Sequence, residues 1–173
     1  MIKGSKIVLG PLMPGDADAM FRWINDVESA RLDYAYRPTD WNAFQGWIDS
    51  LSKDKSRVMF AIRRIGASPI IGFVGLHSIN PVHRSADLSV RIGEEANRNT
   101  GCGTEAILLA LNVGWRHLNL RRITLTTLAN NERAIRAFTT AGFAREGLAL
   151  SAAFIDGAWH DVVTMGILRP IPD

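Results

Sequence analysis

The chain holds one cysteine, Cys102, so neither an internal disulfide framework nor a cysteine-built zinc site is open to it, and no metal is expected. Long apolar runs are missing too. The opening stretch "MIKGSKIVLGPLMPGD" has no segment long enough for a signal-peptide core or a membrane span, so the expectation is a cytoplasmic protein with no membrane partner. Charge is scattered rather than blocked: 20 Lys and Arg against 17 Asp and Glu leave a formal net charge of +3. With no polybasic stretch, that excess reads as a solvated surface rather than a nucleic-acid footprint. A mild positive field still helps to gather an anionic ligand. No internal repeat, low-complexity tract or linker interrupts the sequence. What is there is 173 residues, 47% hydrophobic and 21% charged, a balance that suits one globular domain able to bury a core.

Hydrophobic periodicity then sets the order of elements. "KIVLGPL" (6–12) suits a first strand. "PGDADAMFRWIND" opens a helix with Asp16 as N-cap and Met20, Trp23, Ile24 and Val27 on one face. "TDWNAFQGWIDSL" gives a second, capped by Thr39 or Asp40, with Trp41, Phe44, Trp47, Ile48 and Leu51 as its stripe. "RVMFAIRR" and "IIGFVGLHSI" flank a Gly66–Pro69 turn and read as a hairpin, followed by a strand over 86–93. A glycine-bearing loop leads into a helix with Ile107, Leu111, Trp115 and Leu118 at helical spacing. "RRITLTTL" (121–128) is strand-like, "NNERAIRAFTTAG" is a helix closed by Gly142, and the chain ends in a hairpin around Asp156-Gly157. Strand, helix, strand over 86–128 makes a parallel crossover, while the hairpins make antiparallel pairs. The fold class is therefore α/β: a mixed, mostly antiparallel central sheet with helices on both faces.

Chemistry concentrates in "EEANRNTGCGTEAILLALNVGW" (94–115). A strand running into a glycine loop and a helix start leaves several backbone N–H groups unpaired at the positive end of the helix dipole. Gly101 and Gly103 let that backbone approach a diphosphate closely, and Arg98 adds a charge-assisted contact. A structural turn satisfies the same local pattern. Two familiar phosphate loops are excluded by the residues downstream. There is no Gly-Lys-Ser/Thr ending for a nucleoside triphosphate. Gly101-x-Gly103-x-x-Ala106 matches a dinucleotide fingerprint, but the next strand ends in Thr127-Leu128-Ala129-Asn130, without the required carboxylate.

Arg98-x-x-Gly101-x-Gly103 resembles the acetyl-coenzyme A loop of the GNAT N-acetyltransferase superfamily, Gln/Arg-x-x-Gly-x-Gly/Ala. "NERAIRAFTTAGF" is similar to that family's second block, with Asn131, Ala134, Phe138 and Gly142-Phe143 in place. "YAYRPT", "GTEAI", "NLRRI" and "DGAWHDVVTMGIL" resemble the branch containing the ribosomal-protein alanine N-acetyltransferases. The resemblance spans nearly the whole chain and implies one N-acetyltransferase domain over residues 1–173. Acetyl-coenzyme A would be the cosubstrate, moving its acetyl group directly to a primary amine.

By that resemblance Arg98, Asn99, Thr100, Gly101, Cys102, Gly103 and Thr104 bind the pyrophosphate. Val90, Arg91 and Ile92 offer main chain to the pantetheine arm, Asn131 and Phe138 flank it, and Arg133 reaches toward the adenosine end; Asn131 also suits a helix cap. An alkylamine is mostly protonated at neutral pH, so a base is needed. Asp87 stands where many relatives place a catalytic Glu, with His77 and His83 as rivals and an ordinary strand residue as the plain alternative. Many members carry Tyr where Phe138 stands; Phe has no proton for the leaving thiolate, and Ser89 is the substitute. Cys102, inside the phosphate loop, is a small spacer and not a nucleophile. Tyr34, Tyr36, Trp159 and Asp161 are candidates for the acceptor wall. The branch favours a protein or peptide N-terminal amine. A small-molecule amine (polyamine, aminoglycoside or aminosugar) and a non-catalytic coenzyme A-binding domain are the alternatives, and a homodimer is a family expectation.

Overall fold

The computed structural model describes residues 1–31 and 33–170. Eight strands form one sheet in the order β1-β2-β3-β4-β5-β6-β8-β7. They are β1 (Ile2–Lys3), β2 (Ile7–Gly10), β3 (Val58–Arg64), β4 (Ile70–Asn80), β5 (Ser85–Ile92), β6 (Arg122–Leu128), β7 (Ala144–Ile155) and β8 (Ala158–Leu168). Every neighbouring pair is antiparallel except β5–β6, which is parallel because α4 (Cys102–Arg116) crosses over between them. The remaining helices are α1 (Ala17–Ile24), α2 (Val27–Ala30), α3 (Trp41–Leu51) and α5 (Glu132–Thr140).

Alternation along the strands divides the core in two. Ile7, Leu9, Ile62, Leu76, Leu88, Ile123, Leu125, Val163 and Met165 face α4 and α5, meeting Ile107, Ala110 and Phe138. On the other face Met20 and Trp23 of α1 and Phe44 of α3 pack on Ala61 and Ile70. Gly114 lets α4 lie close on the sheet: a Cβ there would stand 2.9 Å from the Ile123 side chain.

The first helix differs from expectation in two respects. Asp16 precedes α1, but its carboxylate makes no cap bond. It is buried and accepts instead from the Met13 N–H at 2.7 Å and from Arg63 at 2.5 Å, because a buried carboxylate needs a charged partner more than a helix end needs a cap. Val27 does not extend the α1 stripe. The helix stops at Ile24, and Asp26 caps the separate α2 through the Glu28 and Ser29 amides, which leaves Val27 exposed. Asp40 does cap α3, accepting from the Ala43 N–H at 2.9 Å.

Candidate active site

β5 and β6 run side by side for three residue pairs, Ser85–Arg122, Ala86–Ile123 and Asp87–Thr124, and there the parallel ladder ends. Both strands continue, each with its other partner: β5 stays on β4 to the Gly72–Ile92 pair, and β6 stays on β8 to Leu128–Val162. The sheet therefore opens into a wedge. Backbone groups of β5 beyond Asp87 that point toward β6 lose their ladder partners, which is a costly arrangement unless an amide-bearing ligand pairs with them. The wedge is a cleft of about 460 Å³. Leu88, Ser89, Val90, Arg91 and Ile92 line one wall, Thr126, Thr127, Asn131, Arg133, Arg136 and Phe138 the other, and Ser29 and Asp33 lie at its rim.

The glycine loop closes the wide end. Asn99 and Gly101 both take positive φ, +60° and +84°, so the chain curls and directs successive amides to one side. The N–H groups of residues 99–104 find no acceptor among the described residues, while the next amide, that of Glu105, already bonds to the Gly101 carbonyl. Six unpaired donors at the start of a 15-residue helix make an anion site. Arg98 and Arg133 flank it. The Arg133 guanidinium titrates below its ordinary range, first because of burial and then because Arg98 is close. Two cations held near each other at a nest of bare amides fit a diphosphate.

Arg98 also has a second task. Its Nη2 donates to the Gly93 carbonyl at 3.1 Å and to Ser29 Oγ at 3.2 Å, and its Nε to the Ile92 carbonyl at 3.4 Å. Asn99, Gly101, Gly103 and Thr104 line the cleft. Thr100 turns its hydroxyl back to the Asn97 carbonyl, and Cys102 is wholly buried in the core behind the loop. Those two offer the cleft only main chain. Lys6, which carries no motif in the sequence, braces the loop from β2's side by donating to the Thr100 carbonyl at 2.8 Å. Asn131 caps α5 through the Ala134 N–H and lines the cleft as well.

Asp87, the candidate base, stands at the last parallel pair, where the wedge begins, and neither it, Thr124 nor His77 is among the residues that line the cleft. Thr124 Oγ1 donates to Asp87 Oδ1 at 2.6 Å across the last parallel pair. His77 stands opposite Asp87 on β4, with Nδ1 3.4 Å from Ser78 Oγ. His83 is exposed on the β4–β5 turn. Ser89, one pleat beyond Asp87 on the same strand face, lines the cleft. Phe138 also lines it and packs edge-on against Phe143, with ring centroids 5.9 Å apart.

The four candidate wall residues are not gathered into the cleft lining. Tyr34 is half-buried, donates its hydroxyl to the Ile24 carbonyl at 3.2 Å and lines a smaller pocket with Arg37, Phe44 and Trp47. Tyr36 is exposed. Trp159 is exposed and stacks with Phe154, and Asp161 accepts the Ser151 N–H at 2.7 Å within the β7–β8 hairpin. Thr124, Thr126 and Asp33 were not legible as site residues. A threonine in a strand carries no signal until the register is known.

A wedge between two parallel strands with an amide nest at a helix start is an arrangement suited to an acyl-coenzyme A-dependent transferase. Residues 6–144 match the acetyltransferase (GNAT) domain model, and the chain belongs to that family. It is an acetyl-coenzyme A-dependent N-acetyltransferase. It is similar to the uncharacterized N-acetyltransferase YoaA of Bacillus subtilis, 24% identical over 98% of this chain and 97% of that one. The spermidine N(1)-acetyltransferase of Vibrio cholerae is 35% identical over 58% of this chain, a match that spans 57% of that relative's length. A crystal structure of the Vibrio cholerae spermidine N-acetyltransferase with coenzyme A and spermine superposes with a TM-score of 0.88 at 25% identity. It covers 95% of this chain and 96% of its own. No helix among the described residues is long and apolar enough to cross a membrane.

Proposed function

We propose that the acceptor is a small primary amine rather than a protein N-terminus, and that Asp87 receives its proton. The supporting observation is the near-complete overlap with the spermidine N-acetyltransferase structure. The acetyl carbonyl then lies toward the apex of the wedge, with the pyrophosphate on residues 98–104. The amine nitrogen attacks the thioester carbon, the C–N bond forms and the C–S bond breaks. The nitrogen proton passes to Asp87, directly or through water. Thr124 holds one Asp87 oxygen, which fixes the direction in which the other faces.

A thiol titrates at about 8.5, so the leaving thiolate needs little help, and backbone N–H groups of β5 with the Ser89 hydroxyl supply it in place of the tyrosine that Phe138 replaces. At the rim of the cleft, Asp33 pairs with Arg91 at 3.1 Å. Acceptor-dependent release of coenzyme A thiol is the test, measured with spermidine, short diamines, aminosugars and N-terminal peptides. Turnover confined to the peptides would overturn this reading.

A further inference from the structure

Arg91 lies on the strand that lines the cleft, and its side chain is engaged in three directions. That side chain is only 13% exposed. Its Nη1 donates to the Trp23 carbonyl at 3.0 Å, its Nη2 to Asp33 Oδ2 at 3.1 Å, and its Cζ lies 5.3 Å from the centre of the Tyr34 ring. Tyr34 in turn bonds to the Ile24 carbonyl. One side chain on the cofactor strand thus grips the end of α1 and the Asp33–Tyr34 turn beyond α2. A second grip on the same region comes from the phosphate-loop arginine, Arg98, through Ser29.

We propose that Arg91 is a positioning residue: its backbone belongs to the strand facing the cofactor, and its side chain fixes the α1–α2 region as the acceptor-side wall of the same cleft. It touches no reacting atom. Its effect is to hold Asp33 and Tyr34 at a set distance from β5, so that the acceptor meets the thioester in one orientation. A guanidinium is required for this, because the carbonyl, the carboxylate and the ring lie in three directions that a planar fork can serve together. A lysine ammonium in its place would keep the charge and lose the geometry. The inference rests on the reading of this cleft as the acetyl-transfer site, but its test does not depend on which amine is acetylated.

The experiment is hydrogen–deuterium exchange of the full chain with coenzyme A, comparing the wild type with Arg91→Lys and Asp33→Asn, alongside coenzyme A affinity by calorimetry. The expected result is faster exchange in peptides covering residues 23–37 for both variants. Exchange in α4 and β6 should be unchanged, and coenzyme A affinity should stay within about twofold, since the backbone nest is untouched. With spermidine as acceptor, KM should rise on the order of tenfold in Arg91→Lys while kcat falls less. Unchanged exchange at residues 23–37 in both variants would overturn the proposal, as would a loss of coenzyme A affinity in proportion to the acceptor effect. Failure of spermidine as a substrate would speak against the proposed acceptor class and leave the exchange result to decide the role of Arg91.

Discussion

Thr124 Oγ1 and Asp87 Oδ1 meet at 2.6 Å at the last residue pair before β5 and β6 separate, so the carboxylate is fixed where the sheet begins to open. Its place follows from topology. Residues before Asp87 are closed in by the ladder, and residues beyond it line the cleft. Asp87→Asn is expected to lower kcat by about 10²–10⁴-fold, the usual contribution of a positioned base, with little change in coenzyme A affinity. Thr124→Val should have a smaller effect in the same direction. A kcat for Asp87→Asn within twofold of wild type in steady-state assays would remove it as the base and leave His77 to be tested.

The two loop glycines should respond differently. Gly101 sits at φ +84° with Lys6 Nζ 2.8 Å from where a Cβ would stand, so Gly101→Ala should cost about 1–2 kcal/mol of stability. At Gly103 a Cβ would meet only Ile92, at an ordinary 3.5 Å. Gly103→Ala should therefore unfold at the same temperature as wild type and show its defect only in coenzyme A binding. Thermal melts with and without coenzyme A separate the two, and equal melting losses would refute the distinction.

Arg98→Ala should weaken coenzyme A about tenfold to a hundredfold, the worth of a hydrogen-bonded charge at an anion. Because Arg98 also bonds to Ser29, Gly93 and Ile92, a stability loss should accompany it. Arg133, which makes its mark through charge, should weaken binding without that loss when changed to Ala. Calorimetric affinities unaltered in both variants would mean that the diphosphate lies elsewhere.

Cys102 is fully buried behind the loop. Cys102→Ala should keep kcat within about twofold while costing on the order of 1 kcal/mol in denaturant unfolding. A dead but folded variant with normal coenzyme A affinity would point to an acyl-enzyme and away from direct transfer.

Glu146 carries a pH dependence. Its carboxyl titrates below the ordinary value, mainly through its hydrogen bond with Arg122, with burial opposing and the Arg122 charge adding. A lowered folded value means that the pair stabilises the protein above the unfolded value of about 4.3 and that this is lost as pH falls through the folded value. The pair is more than a third exposed on the arginine side, so the effect is small. Wild type and Glu146→Gln should differ in denaturant midpoint at pH 7, and the gap should shrink as pH falls through the lowered folded value; a constant gap would contradict the assignment.

Elements marked by local chemistry were legible in the sequence. The glycine loop, the Asn131 cap and the Asp156-Gly157 turn each carry their own signal; both turn residues do take positive φ. The two-residue β1 was too short to show a period, and Asn25-Asp26 hid a helix break inside one continuous apolar stripe. The loop and strand on one side of the cleft were readable because adjacent residues build them. The long-range pairings were not, since Asp87–Thr124 and Arg91–Asp33 are 37 and 58 residues apart and meet only through strand register and helix docking.

Passage of an acetyl group from coenzyme A to a small amine in this cleft is open to direct measurement. Thiol release from acetyl-coenzyme A is followed with and without each amine of the panel. Release should depend on the amine, run faster with small amines than with peptides, and be lost in Asp87→Asn. Tight acetyl-coenzyme A binding with no amine-dependent release on any member of the panel would contradict transfer at this site.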